Sequence, residues 1–141
     1  MIGEHTRSAV GRNEIEEAVG LPREQLGLRR HATFSYTVFP GSVLVFQPDY
    51  PAIISIFPKS PGRTVFVHAM LTRRPPASDE ERDHFRRSFQ LIDEGVFANE
   101  DVFVAVGAQR GIASGANDHL LFGGLEEAAI RFHDLVDREI S

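Results

Sequence analysis

The chain contains no cysteine, which excludes disulfides, thiolate metal sites and any iron–sulfur cluster held by its own thiolates. Long apolar runs are also missing. The longest, Ser42–Phe46 and residues 52–57, fall far short of the ~20 residues a helix needs to cross a bilayer. Glu4, His5 and Arg7 stand where a secretory signal would carry its apolar stretch, so the expected location is the cytoplasm. Arginines come in separated pairs at 29–30, 73–74 and 86–87, without a basic stripe or interleaved stacking aromatics. With a formal net charge of −5, neither nucleic acid nor a membrane is an expected partner. No Gly-x-Ser-x-Gly elbow or HExxH helix supports a hydrolase. Gly111, Gly115, Gly123 and Gly124 lack the strand–loop–helix order of a phosphate-binding turn and read as turn formers. There is no internal repeat and no low-complexity segment.

What remains is 141 residues, 42% apolar and 25% charged, an ordinary soluble composition at one domain's length. A chain of this size buries roughly two thirds of its unfolded surface and needs no staple. We expect a single domain over 1–141, with a loose polar N-terminus at 1–11, a sheet region at 31–72 and a helical region at 78–140. Short helical turns at 14–19 and 22–26, closed by Gly20 and Gly27, separate the first two.

From His31 the periodicity becomes that of a strand. Thr33, Ser35 and Thr37 alternate with Phe34, Tyr36 and Val38, so the two sets face opposite sides of a sheet. Pro40-Gly41, Pro48-Asp49 and the 58–62 stretch PKSPG punctuate three further strands at 42–47, 50–57 and 64–71. The simplest arrangement is an antiparallel meander of four strands. Such a sheet has two edges that nothing obviously blunts, which argues for a homo-oligomer.

Beyond Pro76 the pattern is helical. Ser78 followed by Glu81 is a capping box. Phe85, Phe89, Leu91 and Ile92 form an expected buried face up to about Gly95. Asn99-Glu100-Asp101 then opens a second helix carrying Val102, Val106 and Ile112. A last amphipathic helix at 125–140 turns Ile130, Phe132, Leu135 and Val136 inward. The fold class is therefore α+β, a curved antiparallel sheet packed by C-terminal helices.

Two stretches carry a resemblance. Residues 38–71, VFPGSVLVFQPDYPAIISIFPKSPGRTVFVHAML, are similar to the strand region of Rieske-type aromatic-ring-hydroxylating dioxygenase alpha subunits. Residues 99–114, NEDVFVAVGAQRGIAS, resemble that family's late helix, which Glu-Asp opens and Gln-Arg-Gly-Leu-x-Ser closes. The ending GLEEAAIRFH at 124–133 is similar as well. The resemblance runs from about Phe34 to the C-terminus and implies the C-terminal part of the family's catalytic domain, a partial helix-grip (START/Bet v1-like) fold.

It also implies a mononuclear Fe(II) held by two histidines and one carboxylate, with open positions for oxygen and substrate. Asp101 stands at the carboxylate position, with Glu100 as its neighbouring competitor, and Phe97 would face an aromatic substrate. The family's histidine pair, four or five residues apart upstream of the sheet, has no counterpart here. His5, His31, His68, His84, His119 and His133 never show that spacing. With no cysteine, the two thiolate ligands of the family's Rieske cluster are missing as well.

Each candidate has a plainer reading. Asp101 serves equally as a carboxylate at a helix start, favoured by the helix dipole. His68 projects from one face of a strand and either lines a substrate pocket or is an ordinary hydrogen-bonded histidine. His31, beside Arg29 and Arg30, reads as solvated. His133 reads as packing, and His119, in the Asn117-Asp118-His119 loop, as an opportunistic metal contact. The phenylalanines suit a core or a pocket for an aromatic molecule equally well. Two functions follow. In one, the chain is part of a ring-hydroxylating oxygenase, inactive alone and completed by a separate chain that brings the histidines and the Rieske centre. In the other, it is a non-catalytic oligomeric module that binds a small hydrophobic ligand or a partner subunit. A third arrangement would build a new metal site from Asp101 with His68 or His119 across an oligomer interface.

Overall fold

The structure is a computed structural model and describes residues 3–117 and 119–141. It divides into two compact units, one running to Arg73 and including Ile130–Ser141, the other comprising Arg74–Ala129.

The first unit is a five-stranded antiparallel sheet in the order β1-β2-β3-β4-β5. Its strands are β1 (Thr6–Gly11), β2 (Ala32–Val38), β3 (Ser42–Phe46), β4 (Pro51–Ser60) and β5 (Arg63–Met70). The four strands expected from the alternation at 33–38 and from the turn-bounded apolar runs are present as a meander. β1 corrects the expectation of a loose N-terminus from Thr6 onward; Met1 and Ile2 lie outside the described residues. Its sequence TRSAVG buries no face, so it leaves no apolar period to detect. Partner hydrogen bonding recruits it: Thr6 to Gly11 pair with Thr37 to Ala32. The Ser8 and Ser35 hydroxyls also bond at 2.5 Å, and the Phe39 N–H donates to His5 Nδ1 at 3.2 Å.

Between β1 and β2 lie two 3-10 turns, Asn13–Ala18 and Arg23–Gln25, and the one-turn helix α1 (Leu28–His31). His31 is 6% exposed, which overturns its reading as solvated. Its carbonyl accepts the Arg12 N–H at 2.9 Å, so the start of β2 is clamped to the end of β1. At the β2–β3 turn Gly41 is required by a close approach. The Ile56 N–H donates to its carbonyl at 2.7 Å, and a Cβ there would lie 2.6 Å from Ile56 O.

The core is small. Tyr50, Ala52 and Ile54 are buried, together with Leu135 of α4 (Glu127–Ile140). Ala52 and Ile54 are two residues apart on β4 and so share one face. Burial raises the Tyr50 phenol above its ordinary value, and the negative charge of Asp49 adds to the shift. The Phe132 ring of α4 meets Phe39 edge-on at 5.7 Å, and Arg131 Nη2 donates to Gly3 O at 2.9 Å. Leu135 turns inward as expected, whereas Ile130 is 40% exposed.

The second unit begins with α2 (Asp79–Gln90). The Glu81 N–H donates to Ser78 Oγ at 3.1 Å, the expected cap. The Glu81 carboxylate turns instead to the Ala77 N–H at 2.6 Å and to Arg74 at 2.9 and 3.1 Å. The Ala77 bond and then the Arg74 guanidinium hold it below the usual carboxylate range.

No helix ends near Gly95 and none starts at Asn99. The chain continues from α2 through a π-helical stretch, Leu91–Asp101, into α3 (Val102–Ala113). A lone interior glycine costs only about 1 kcal/mol, too little to stop a helix without a proline. Asn99, which could have capped a new helix, donates its Nδ2 to Glu94 O at 2.7 Å inside the helix. The true end comes near Gly115, whose φ of +68° suits glycine. No described residue of this unit is buried. Phe85 and Phe89 are half-covered, Leu91 is exposed, and all twelve residues of α3 are exposed. Among the described residues no helix is long and apolar enough to cross a membrane.

Candidate functional site

Asp101 is the last residue of the π-helical stretch, with helical angles of φ −63° and ψ −49°. Every backbone group around it is already engaged in a running helix. The reading of Asp101 as a helix-start carboxylate therefore fails, because no free helix N-terminus exists there to attract it. Its side chain and that of Glu100 are both exposed. Phe97 lies one turn earlier and is half-buried, and its carbonyl accepts the Val102 N–H, a bond of the wide i→i+5 type. Such stretches are rare and re-aim the side chains on them relative to an α-helix. The structure thus brings Phe97 and Asp101 onto one turn of the same helix.

His68 belongs to the sheet unit. It sits on β5 opposite Ile54, which in turn pairs with Val43, and it is half-buried. It therefore shares a face with buried Ile54. His119 lines a separate hollow of about 430 Å³ with Ala108, Gly111 and Ile112, and the adjoining Asp118 lies outside the described residues. Among the described residues no group of three or more His, Asp or Glu side chains could hold a metal ion. The residues present do not fit a mononuclear Fe(II) site: one exposed carboxylate supplies a single ligand where three are needed.

The phenylalanines divide between uses. Phe39 packs on α4, while Phe34 and Phe46 line a cavity of about 550 Å³ in the sheet unit, together with Tyr36, Leu44, Arg7 and Arg29. Sequence periodicity had placed Phe34, Tyr36 and Val38 on one face. The two arginines come from β1 and α1, segments whose position against that face depends on strand pairing.

The family described as ring hydroxylating alpha subunit (catalytic domain) matches the chain over residues 3–141. No curated protein and no solved structure matches it.

Proposed function

The chain belongs to the ring-hydroxylating alpha-subunit catalytic-domain family, and from that premise we propose that it works as a non-autonomous part of an aromatic-ring oxygenase. In this reading Asp101 is the carboxylate ligand and Phe97, one turn before it, faces the substrate, while His68 is a separate pocket candidate within the sheet unit. The two histidine ligands and the Rieske centre are carried by another chain. Electrons come from reduced nicotinamide through separate electron-transfer proteins, and the product is a hydroxylated aromatic ring. No step can be assigned to this chain's residues alone.

The observation that carries the reading is the bare surface of the helix that bears Asp101. α3 continues directly from Asp101 and exposes Phe103 at 75%, Val104 at 65% and Ile112 at 53%. Fully covering one such side chain is worth about 1.5–3 kcal/mol, and a helix whose every residue is exposed has not realised that gain. A partner surface laid against α3 would do so and would bring its own groups beside Asp101.

Anaerobic Fe(II) binding tests this. The chain alone should take up no stoichiometric iron. Mixed with a histidine-bearing oxygenase chain it should bind iron that is lost in Asp101→Ala. Iron retained equally by Asp101→Ala in the mixture would overturn the assignment.

The cavity of about 550 Å³ on the sheet favours a second reading, a homo-oligomeric module that binds a small hydrophobic molecule without catalysis. Stable self-association of the isolated chain, with no iron under any condition, would support that reading.

A further inference from the structure

We propose that the sheet cavity is a binding site for a small organic carboxylate with an apolar body. The proposal stands apart from the oxygenase reading, because none of Asp101, Phe97 and His68 lines the cavity.

Its floor follows from strand register. Phe34 pairs with Phe46 and Tyr36 with Leu44, so the four side chains share one face. Leu44 pairs onward with Ile53, whereas His68 pairs with Ile54. Successive residues of a strand point to opposite faces, so the cavity lies on the face opposite His68. The Tyr36 and Phe46 rings meet edge-on at 5.7 Å and 82°, which holds the aromatic floor in place. A volume of about 550 Å³ is within the range of small-molecule sites, roughly 300–1,000 Å³.

The charge at the cavity selects the ligand. Arg7 pairs in register with Tyr36 and so stands on the cavity's face. Arg29 reaches it from α1, its Nη2 fixed by a 2.7 Å bond to Gln47 O. Its Nε is buried and has no hydrogen-bond partner. Such a donor has lost its water without gaining a hydrogen bond, a desolvation cost that a bound anion would relieve. Ion pairs elsewhere engage Arg12, Arg30, Arg74, Arg82, Arg86 and Arg138. Neither Arg7 nor Arg29 pairs with a carboxylate among the described residues. In a chain of net charge −5, two guanidiniums without carboxylate partners on one apolar cavity are complementary to an anion. The fork of Arg29 suits a planar carboxylate, and the second charge of Arg7 adds attraction. A bare inorganic anion would leave the aromatic floor unused.

The probe is decanoate, with 1-decanol as its uncharged counterpart, followed by calorimetry and by NMR shifts of the aromatic floor. Decanoate should bind and perturb the Phe34, Tyr36 and Phe46 signals. Arg29→Gln should weaken decanoate by about tenfold, the loss of a charge-assisted bond, and Arg7→Gln by a smaller factor. Decanol binding should be the same in all three proteins. Arg7 lies exposed on an edge strand, so Arg7→Gln keeps the test decisive should Arg29→Gln fail to fold. Equal decanoate affinity in the wild type and Arg7→Gln, no binding of decanoate, or shifts confined to other residues would each overturn the proposal.

Discussion

Leu135→Ala should detach α4 from the sheet unit more than any other single truncation on that helix. Leu135 is 2% exposed and, among the described residues, one of four buried hydrophobic residues, with Tyr50, Ala52 and Ile54. Cutting it to alanine removes three carbons from the interior, about 2.4 kcal/mol at roughly 0.8 kcal/mol for each. The unfilled space adds to this, and measured losses for such changes run about 2–5 kcal/mol. With so thin a core we expect about 3 kcal/mol. At a urea slope of about 2 kcal/mol per molar, that moves the unfolding midpoint down by about 1.5 M. The chain has no tryptophan and two tyrosines, Tyr36 and Tyr50, both in the sheet unit. Tyrosine fluorescence therefore reports this unit without interference from the other. Ile130→Ala, on the same helix but at a side chain 40% exposed, is the control and should cost at most about 1 kcal/mol. A Leu135→Ala midpoint within about 0.5 M of the wild type, or equal to that of Ile130→Ala, would refute the view that this contact holds α4 to the sheet.

Two further outcomes follow from single positions. Gly41→Ala should destabilise the sheet unit by about 1–3 kcal/mol, because the new Cβ would meet the Ile56 carbonyl at 2.6 Å and that backbone cannot give way without breaking the adjoining ladder bond. An unchanged melting temperature in calorimetry would contradict it. Tyr50 has a phenol pKa raised by burial and by Asp49, so the fold favours its neutral form. That contribution is complete below the unfolded tyrosine value of about 10 and is lost as the pH rises through the higher folded value. Urea midpoints measured from pH 8 to pH 11.5 should fall at the alkaline end in the wild type, and Tyr50→Phe should lack that part of the fall. Parallel profiles would disprove it.

The sheet was legible from local pattern. β2 alternates polar and apolar residues, and β3 to β5 are short apolar runs bounded by Pro/Gly turns, two signals that residue type alone carries. β1 carries neither, because it is held by hydrogen bonds to β2 and buries no side chains, and backbone bonding leaves no mark on residue type. The Ser78–Glu81 cap was legible because its bond spans three residues. The continuity of the helix past Gly95 was not. A glycine and an Asn-Glu-Asp run look like an end and a beginning, yet the π-helical stretch absorbs both and Asn99 bonds inward. That error made Asp101 look like a helix-start carboxylate.

By itself the sequence determined the fold class, the absence of cysteine ligands, the lack of a closely spaced histidine pair and the family resemblance, because each depends on residue identity or short spacing. Only the tertiary structure decided that His31 is buried, that α3 lies bare and that Arg7 and Arg29 meet an aromatic floor. Those facts depend on which distant segments pair. Arg7 and Tyr36 are neighbours through strand register alone, and no local pattern records a contact between residues so far apart along the chain.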